Sequence, residues 1–563
     1  MTASSASVGN FGLTRVASSN LNRRSVLAVG GLVVLLLLPV WWWPLVASQD
    51  GPCHLYNAAV LNESLAGNGP STNVYRVDWK LIPNWGGPLL LMGLLKVFPL
   101  SLVPRIMLTI MAVALILAML LLRRQVGRSR GLLWVAAFGC CLATGRAWAF
   151  GFESFSLGSA AAIVVISLWE RNRERLDALK SLAIAGLLTL AFFCHLVPWA
   201  FATGTIGVLA LTGPVQGRAR RVAWTAAILI TAAPCFVSYW SLSTGHGGLL
   251  MLDWGHLQGF HPARVGSWAT LLARVDCIGL MRGLIPFTGR SSANPQPLEG
   301  LSTTERAPMT LAGTIFSPFM ILSTGLVLQA LGTLLVDVRA KKYRHIGWFV
   351  LGFCGVILAL FMPDGTDSVG NYLPLRVMLL SITMIIAYVR FDVGRVLTVG
   401  TSLLVAVGFA MHTAAIWDYA ATANRQLLEV KSAAETIPPG QRIFQIRTKQ
   451  SIRFRADSMR HSDGYVALWS RGILLSNYEA KHYYFPVKLQ PAYPPMLCSL
   501  ATDLENLDPE RAGDGVRDLL SNCDQFIDVL VVRTVDEKIL SLARGSFSDV
   551  LWHRDDLWVL SRK

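Results

Sequence analysis

The stretch Asp50-Gly-Pro-Cys-His-Leu-Tyr-Asn57 follows directly on an apolar run from Val26 to Val46. A helix of roughly 20 apolar residues is long enough to cross a bilayer about 30 Å thick. The run and the stretch together therefore predict a membrane-crossing helix with an aspartate and a histidine at its exit. We expect the loop that follows, 47–101, to fold onto the membrane, with polar, irregular residues over 60–83 and a short interfacial helix over 88–98.

The composition excludes a soluble globular protein. Of 563 residues, 53% are hydrophobic and 15% are charged, and the mean hydropathy is positive. A folded core of this size cannot hold so many apolar residues. The formal net charge of +16 does not indicate nucleic-acid binding, because many basic residues lie in short clusters between apolar segments, where they determine topology. We therefore predict an α-helical polytopic membrane protein.

Eleven apolar segments are predicted to cross the membrane. They are 25–46, 102–122, 131–149, 154–169, 181–195, 197–213, 222–242, 309–337, 346–362, 373–389 and 396–417. The clusters rich in Lys and Arg all fall on one side of this arrangement, which predicts a cytoplasmic amino-terminal tail, 1–24, and an external carboxyl terminus. The membrane domain is thus 25–418, and a second long outside loop is expected over 243–307.

The composition changes near residue 420, where an outside α/β domain, 419–563, is predicted. The patterns predict strands and helices in this domain: strands over 442–446, 465–469, 527–532 and 557–560, and helices over 426–435 and 513–520. Cys498 and Cys523 both lie here. Disulfides persist outside the cytoplasm, so we predict a bridge between these two cysteines, with unpaired thiols as the alternative.

The chain resembles the GT-C superfamily of membrane glycosyltransferases, which use polyprenyl-phosphate-linked donors, such as the protein O-mannosyltransferases and the lipid A aminoarabinose transferases. The resemblance is carried by Asp50 just after helix 1, by the long first loop, and by two segments similar to those of bacterial members. These are Gly151-Phe-Glu-Ser-Phe-Ser-Leu-Gly158 and Gly370-Asn-Tyr-Leu-Pro-Leu-Arg376. Gly51 stands where many members carry a second acid. The resemblance implies a GT-C-like bacterial inner-membrane enzyme with a periplasmic carboxy-terminal domain.

Transfer from a sugar phospholipid needs fewer groups than glycoside hydrolysis, which commonly uses two opposed carboxylates. The leaving phosphate is already a weak base, so one carboxylate to take the acceptor proton is enough, together with cations for the departing phosphate. Asp50 is the predicted catalytic base. Arg376 is the predicted clamp for the lipid phosphate, because its planar guanidinium suits phosphate. We further predict substrate-binding roles for His54, Glu153 and His195.

Each of the charged candidates has a structural alternative. Asp50 could cap a helix that begins at Gly51, because aspartate is favoured at that position. Arg376 could hold its helix end at the lipid headgroups. Glu153 could form a plain ion pair with Arg146 in a tight outside turn.

The two histidines and the cofactor content also have alternatives. A lone histidine at an interface, such as His54, or at a turn, such as His195, more often makes an ordinary hydrogen bond. The residues assign no particular cofactor. A divalent cation at Glu153, or at the turn that contains Asp364 and Asp367, is the open alternative, and a turn is the commoner role of the latter pair.

Three function classes fit a protein of this kind. The first is an inverting glycosyltransferase that moves a sugar from a polyprenyl-phosphate donor to a cell-envelope acceptor on the outer face of the membrane. The second is a transporter or flippase of a lipid-linked sugar, and the third is a catalytically silent GT-C-like scaffold. A transporter carries ionisable groups near mid-membrane on broken helices, whereas the candidate groups here collect at the outer edge, which favours the enzyme. The sugar and the acceptor are not encoded in any linear motif.

Overall fold

A computed structural model describes the chain over residues 23–126, 131–212, 215, 217–244, 318–341, 343–362, 365–366, 370–391, 393–448, 454, 456–504 and 509–562. Most of the loop predicted at 243–307 lies outside these residues. Asp364 and Asp367 of the predicted turn lie outside them as well.

The membrane part is built from helices that follow the apolar runs of the sequence. Their bounds are α1 Arg23–Trp42, α2 Gly51–Ala66, α3 Gly86–Val97, α4 Val103–Gln125, α5 Leu132–Ala143, α6 Arg146–Ala149, α7 Glu153–Asn172, α8 Ala178–Cys194, α9 Leu196–Thr212, α10 Arg218–Thr244, α11 Pro318–Arg339, α12 Tyr343–Phe361, α13 Leu373–Tyr388 and α14 Arg395–Ala434. Within the described ranges, seven helices are long and apolar enough to cross a membrane, with α5 and α6 taken together. Shorter apolar helices are α3, α8, α9, α12 and α13. The chain is a multi-pass membrane protein, and the number of eleven crossings stays a prediction.

The first outside segment is more regular than predicted. The prediction that residues 60–83 are irregular is wrong for 60–66, 70–73 and 75–77, because α2 extends to Ala66 and a 3₁₀ turn and a short strand follow it. It is confirmed for 67–69 and 78–83. Strand β1, Tyr75–Val77, pairs antiparallel with β6, Val487–Leu489, of the outer domain. The outer domain covers α2 so that Leu55, Tyr56 and Leu61 are all buried. A helix buried on several sides lacks the one-faced pattern that reveals a surface helix.

Helix α14 continues from the membrane part into the outer domain without a break. Separate helices were predicted over 396–417 and 426–435, but the structure has one helix of 40 residues. The intervening residues, 418–425, contain alanines and no Gly or Pro, so nothing in them stops the helix. The predicted domain boundary after residue 418 therefore falls inside a continuous helix.

The outer domain has a five-stranded sheet in the order β5-β4-β7-β9-β8. The strands are β4 Arg442–Arg447, β5 Ile473–Leu474, β7 Val529–Arg533, β8 Asp549–Arg554 and β9 Leu557–Ser561. Strand β4 is parallel to β5 and β7, whereas β9 is antiparallel to β7 and β8. Among the described residues, two short strands, β2 Gly365–Thr366 and β3 Gly370–Asn371, pair antiparallel before α13. Helices α15 Asp463–Ser470, α16 Met496–Asp503, α17 Pro509–Cys523 and α18 Glu537–Ser546 complete the domain.

Two predictions for the outer domain are wrong. The apolar run 465–469 is not a strand but part of α15, since a five-residue apolar run cannot be assigned to a strand or a buried helix by its pattern. The disulfide between Cys498 and Cys523 is absent, and both residues are buried free thiols. The thiol of Cys498 instead faces the carbonyl oxygen of Leu475 at 3.9 Å. The strands predicted at 442–446, 527–532 and 557–560 are confirmed within one or two residues.

Candidate active site

The chain that leads into Asp50 is fixed by hydrogen bonds from three sides. The backbone N–H of Asp50 donates to the carbonyl oxygen of Phe150 at 2.9 Å. The hydroxyl of Tyr419 on α14 donates to Ala47 O at 2.9 Å, and the hydroxyl of Tyr465 on α15 donates to Val46 O at 3.1 Å. Asp50 is therefore held by the membrane part and by the outer domain together.

The turn before α7 approaches this segment closely because of glycine. Gly151 has φ +76°, in the left-handed region that other residues rarely adopt. A Cβ at Gly151 would lie 2.5 Å from Ser48 Oγ and 2.9 Å from the backbone nitrogen of Gly51. A side chain at this position would push Asp50 away from the turn that carries Glu153.

The Asp50 side chain lies at the start of α2 but does not cap it. The helix begins at Gly51, as the capping alternative expected, yet the carboxylate makes no cap hydrogen bond. Gln49 Nε2 donates to Asp50 Oδ1 at 3.3 Å, and His461 Nε2 lies 3.6 Å from the same oxygen. Among the described residues, Oδ2 is left without a hydrogen-bond donor.

Burial sets the protonation properties of Asp50. Removal from water raises the pKa of this carboxyl above its ordinary value, although the positive charges of His54 and Arg460 act in the opposite direction. A general base acts best when its pKa approaches the working pH. The environment therefore makes Asp50 a better proton acceptor than an exposed aspartate.

His54 links two glutamates from different parts of the chain. Its Nδ1 lies 3.2 Å from Glu153 Oε2 at the start of α7, and its Nε2 lies 2.8 Å from Glu479 Oε1 in the outer domain. Burial alone would lower the pKa of His54, but the charges of Glu479 and Glu153 raise it well above its ordinary value. His54 is thus a buried imidazolium with both N–H groups donating to carboxylates.

A hydrogen-bond network continues this link toward the outer domain. Asn57 Nδ2 donates to Glu479 Oε2, and Asn477 Nδ2 donates to Asn57 Oδ1 at 2.7 Å. The thiol of Cys53 donates to Asn477 Oδ1 at 3.3 Å. Because these groups are buried and mutually satisfied, the network fixes the outer domain on α2.

Arg376 in the first turn of α13 meets His195, which directly follows α8. Arg376 Nη1 lies 2.8 Å from His195 Nε2, and the guanidinium carbon lies 4.8 Å from the centre of the Phe152 ring. The backbone N–H of Val197 donates to His195 Nδ1 at 3.1 Å. Among the described residues, Arg376 Nε is buried without a hydrogen-bond partner.

An aromatic cluster joins Arg376 to the Asp50 segment. The ring of Phe152 lies 5.5 Å from that of Phe150, whose carbonyl receives the Asp50 N–H. A second guanidinium, of Arg146, lies 4.6 Å from the Phe150 ring and 4.4 Å from the Tyr372 ring. Two arginines are thus stacked on the rings of this cluster, and one of them, Arg376, is close enough to Asp50 for their charges to interact.

The structure brings the sequence-predicted residues together in two adjoining groups. Asp50, His54 and Glu153 form one group, and His195 and Arg376 form the other, with the 150–152 turn between them. Glu153 pairs with His54, whereas the sequence suggested Arg146 as its partner. His461 and Glu479 were missed by sequence reasoning, because each lies more than 400 residues from its partner and no spacing motif marks it.

A small cavity borders the site. It has a volume of about 10 Å³, which is space for about one water molecule. Its walls are formed by Ser48, Gly51, Leu55, Leu91, Pro104, Leu108, Glu153 and Tyr465. Within the described part of the chain, no group of three or more His, Cys, Asp or Glu side chains is placed to hold a metal ion. A divalent cation stays a prediction.

Comparison with known proteins gives matches in structure only. No protein-family model and no curated protein matches the chain. The crystal structure of ArnT from Cupriavidus metallidurans bound to undecaprenyl phosphate matches with 14% identity and a TM-score of 0.41, and covers 95% of this chain and 97% of that chain. The apo structure of the same protein matches with 14% identity, the same coverage and a TM-score of 0.39. A likeness of this size carries no residue role and no ligand over to this chain.

Proposed function

We propose that the protein is a GT-C-like glycosyltransferase that moves a sugar from a polyprenyl-phosphate donor to a cell-envelope acceptor at the outer face of a bacterial inner membrane. The observation that carries the proposal is the Asp50 carboxylate, which is largely removed from water, has an Oδ2 that accepts no hydrogen bond from the described residues, and lies close enough to Arg376 for the two charges to interact. A base next to phosphate-binding cations is the minimum that this transfer needs.

Asp50 acts on the acceptor. Its Oδ2 takes the proton of the acceptor group while the acceptor atom forms a bond to the anomeric carbon of the sugar. The bond from that carbon to the phosphate oxygen breaks, and the phosphate leaves with the electron pair. Because attack and departure occur on opposite faces in a single displacement, the anomeric configuration is inverted.

Arg376 and His195 hold the donor phosphate. A neutral imidazole that accepts from Val197 N–H at Nδ1 carries its proton on Nε2. Arg376 Nη1 lies 2.8 Å from His195 Nε2, which is too close for an oxygen to lie between the two nitrogens. A bound phosphate oxygen would therefore take the place of this contact and accept from both N–H groups. The unpartnered Arg376 Nε offers a further donor, so the guanidinium can bind phosphate in its two-pronged manner.

His54 and Glu153 bind on the acceptor side of the site. The Glu153–His54–Glu479 link adjoins Asp50, and Glu153 also lines the small cavity. Burial raises the pKa of Glu153, and its carboxyl oxygens beside His54 would accept a hydrogen bond from the acceptor. The amino terminus is cytoplasmic and the residues after about 418 are periplasmic in this proposal. A reporter enzyme that works only in the cytoplasm should therefore be active when fused at Arg218 or Lys341, and one that works only in the periplasm should be inactive there.

The test is transfer from prenyl-phosphate sugar in membranes, with expression matched between variants. Asp50→Asn retains the shape and removes the base, so transfer should fall by about 10²-fold or more. Arg376→Ala should weaken donor binding and slow turnover together, because a phosphate contact serves the ground and transition states. Asp78→Asn, a partly exposed acid of the same loop, and Arg76→Ala on the exposed side of β1 are matched controls and should behave as wild type.

Two outcomes contradict parts of the proposal. If Asp50→Asn transfers at a near-normal rate, the base lies elsewhere, and Glu153→Gln is the next variant to measure. If neither wild type nor any variant turns over such a donor, the silent-scaffold function takes the place of the enzyme.

A further inference from the structure

The Asp50 carboxylate is held by a short segment of the outer domain, 457–461. Gln49 bridges the two, since its Oε1 accepts from the backbone N–H of Asp457 at 3.2 Å while its Nε2 donates to Asp50 Oδ1 at 3.3 Å. His461, four residues further along, places Nε2 3.6 Å from the same oxygen. Two independent contacts from one segment therefore converge on Oδ1.

The orientation of the His461 ring is fixed. The ring stacks on Tyr478 with centres 4.2 Å apart and planes inclined by 22°. Its side chain is about one-tenth exposed, and its carbonyl accepts from Gly464 N–H at 3.1 Å as the chain enters α15. A ring held in this way can present Nε2 to Asp50 without the entropic cost of ordering a free side chain.

His461 faces Asp50 as a neutral donor. Burial and the charges of Arg460, Arg447 and His54 lower the pKa of His461 well below its ordinary value. A neutral imidazole has a single N–H, and an ionised Asp50 favours that proton on Nε2. The separation of 3.6 Å is longer than a hydrogen bond, and catalytic contacts of this kind often tighten only when the substrate is bound.

We propose that His461 is a positioning residue for the transfer reaction: together with Gln49 it holds Asp50 Oδ1, so that Oδ2 points to the acceptor. This inference rests on the proposed function and makes the outer domain a part of the catalytic centre. The site is then complete only when the 457–461 segment lies over α2.

Other ionisable groups also surround Asp50. The charged side chains are those of His54, Glu153, Arg376, Arg460 and Glu479. The phenols of Tyr419 and Tyr478 lie nearby. The pH profile of a His461 variant must therefore be compared with that of wild type under identical conditions, because these groups are common to both.

The experiment compares His461→Phe with His461→Gln in the full-length protein in membranes. His461→Phe keeps a ring to stack on Tyr478 and removes the donor, so kcat should fall about 10- to 100-fold with the KM for donor unchanged. The acidic limb of the kcat/KM profile should move to higher pH by about one unit, because a donor that favours the ionised carboxyl is lost. His461→Gln places an amide N–H near the position of Nε2 and should restore most of the rate.

The matched control is His553→Phe, since His553 is an exposed outer-domain histidine that also stacks on an aromatic ring, that of Trp558. It should leave the rate and the pH profile unchanged. Wild-type kinetics for His461→Phe would overturn the inference, as would equal losses in the Phe and Gln variants without a shift of the acidic limb. If Asp50→Asn is inactive while His461→Phe is normal, only the positioning role fails. If wild type itself is inactive toward prenyl-phosphate sugars, the proposed function fails first.

Discussion

Gly464 is the position where a single methyl group should separate the outer domain from α2. A Cβ built at Gly464 would overlap the carbonyl oxygen of Pro52, lie 2.5 Å from its carbonyl carbon and lie 2.9 Å from Cys53 N. These are backbone atoms, which cannot rotate away as a flexible side chain could. Gly464→Ala therefore requires the two segments to move apart.

The size of the effect follows from the neighbouring contacts. Separation of the carbonyl carbon from 2.5 to 3.4 Å is a movement of about 0.9 Å, which would stretch the 2.8 Å contact of His54 Nε2 with Glu479 beyond hydrogen-bond length. Overpacking costs about 1–3 kcal/mol, and a weakened hydrogen bond to a charged group adds about 1 kcal/mol or more. We expect docking to weaken by about 3 kcal/mol, or about 150-fold in the opening equilibrium.

Cys53 provides the assay. Its thiol is buried against Asn477 of the outer domain, so a maleimide reaches it only when the domain opens. Cys53 labelling of the full-length protein in detergent, quantified by mass spectrometry, should be about 100-fold faster in Gly464→Ala. Gly513→Ala is the matched control, because Gly513 is also a buried helical glycine of the outer domain and has no atom within 4 Å of its Cβ position. Equal labelling rates in wild type and Gly464→Ala would refute the packing argument.

Three further predictions concern the same interface and domain. Glu479→Gln leaves His54 with one carboxylate and should weaken docking by about 3 kcal/mol, measured by the same Cys53 labelling, whereas the exposed Glu537→Gln should change nothing. The pKa of His54 is raised in the folded protein. The stability that this provides is complete below the unfolded-state pKa of 6.5 and is lost as the pH rises through the higher folded-state pKa. The unfolding temperature should therefore fall in that alkaline range, and it should fall less in Glu479→Gln. Cys498 and Cys523 should both react with a thiol reagent after denaturation without reductant. If neither cysteine reacts until a reductant is added, the two are joined by a disulfide after all.

The sequence predicts best those parts of the fold that are determined by local patterns. Apolar runs locate the membrane helices because length and hydropathy suffice, and the Val- and Ile-rich runs of β4 and β7 identify strands. Helix α2 was expected only as the capping alternative for Asp50, because its burial comes from the outer domain rather than from its own pattern. The same holds for α15, whose five apolar residues suit a strand equally well.

The candidate site divides in the same way. Asp50 could be singled out because an acid at the end of a membrane helix is conspicuous in one sequence. His461 and Glu479 could not, because their importance depends on contacts with α2 that only the folded chain creates. The partner of Glu153 was also beyond sequence reasoning, since proximity along the chain suggested Arg146 and the fold supplies His54.

Helix α14 has a geometric consequence for the whole molecule. Its 40 residues span about 60 Å, about twice the hydrocarbon thickness of a bilayer. Removal of one residue near Ala423 would lower the outer domain by about 1.5 Å and rotate it by about 100°, which would carry Glu479 away from His54. An insertion of seven residues into the wild-type helix adds almost two full turns, so it would leave the rotation of the domain nearly unchanged but would raise the domain by about 10 Å. No change of length in this stretch preserves both height and rotation, so the number of residues between the membrane and the sheet is as much a requirement of the site as its side chains.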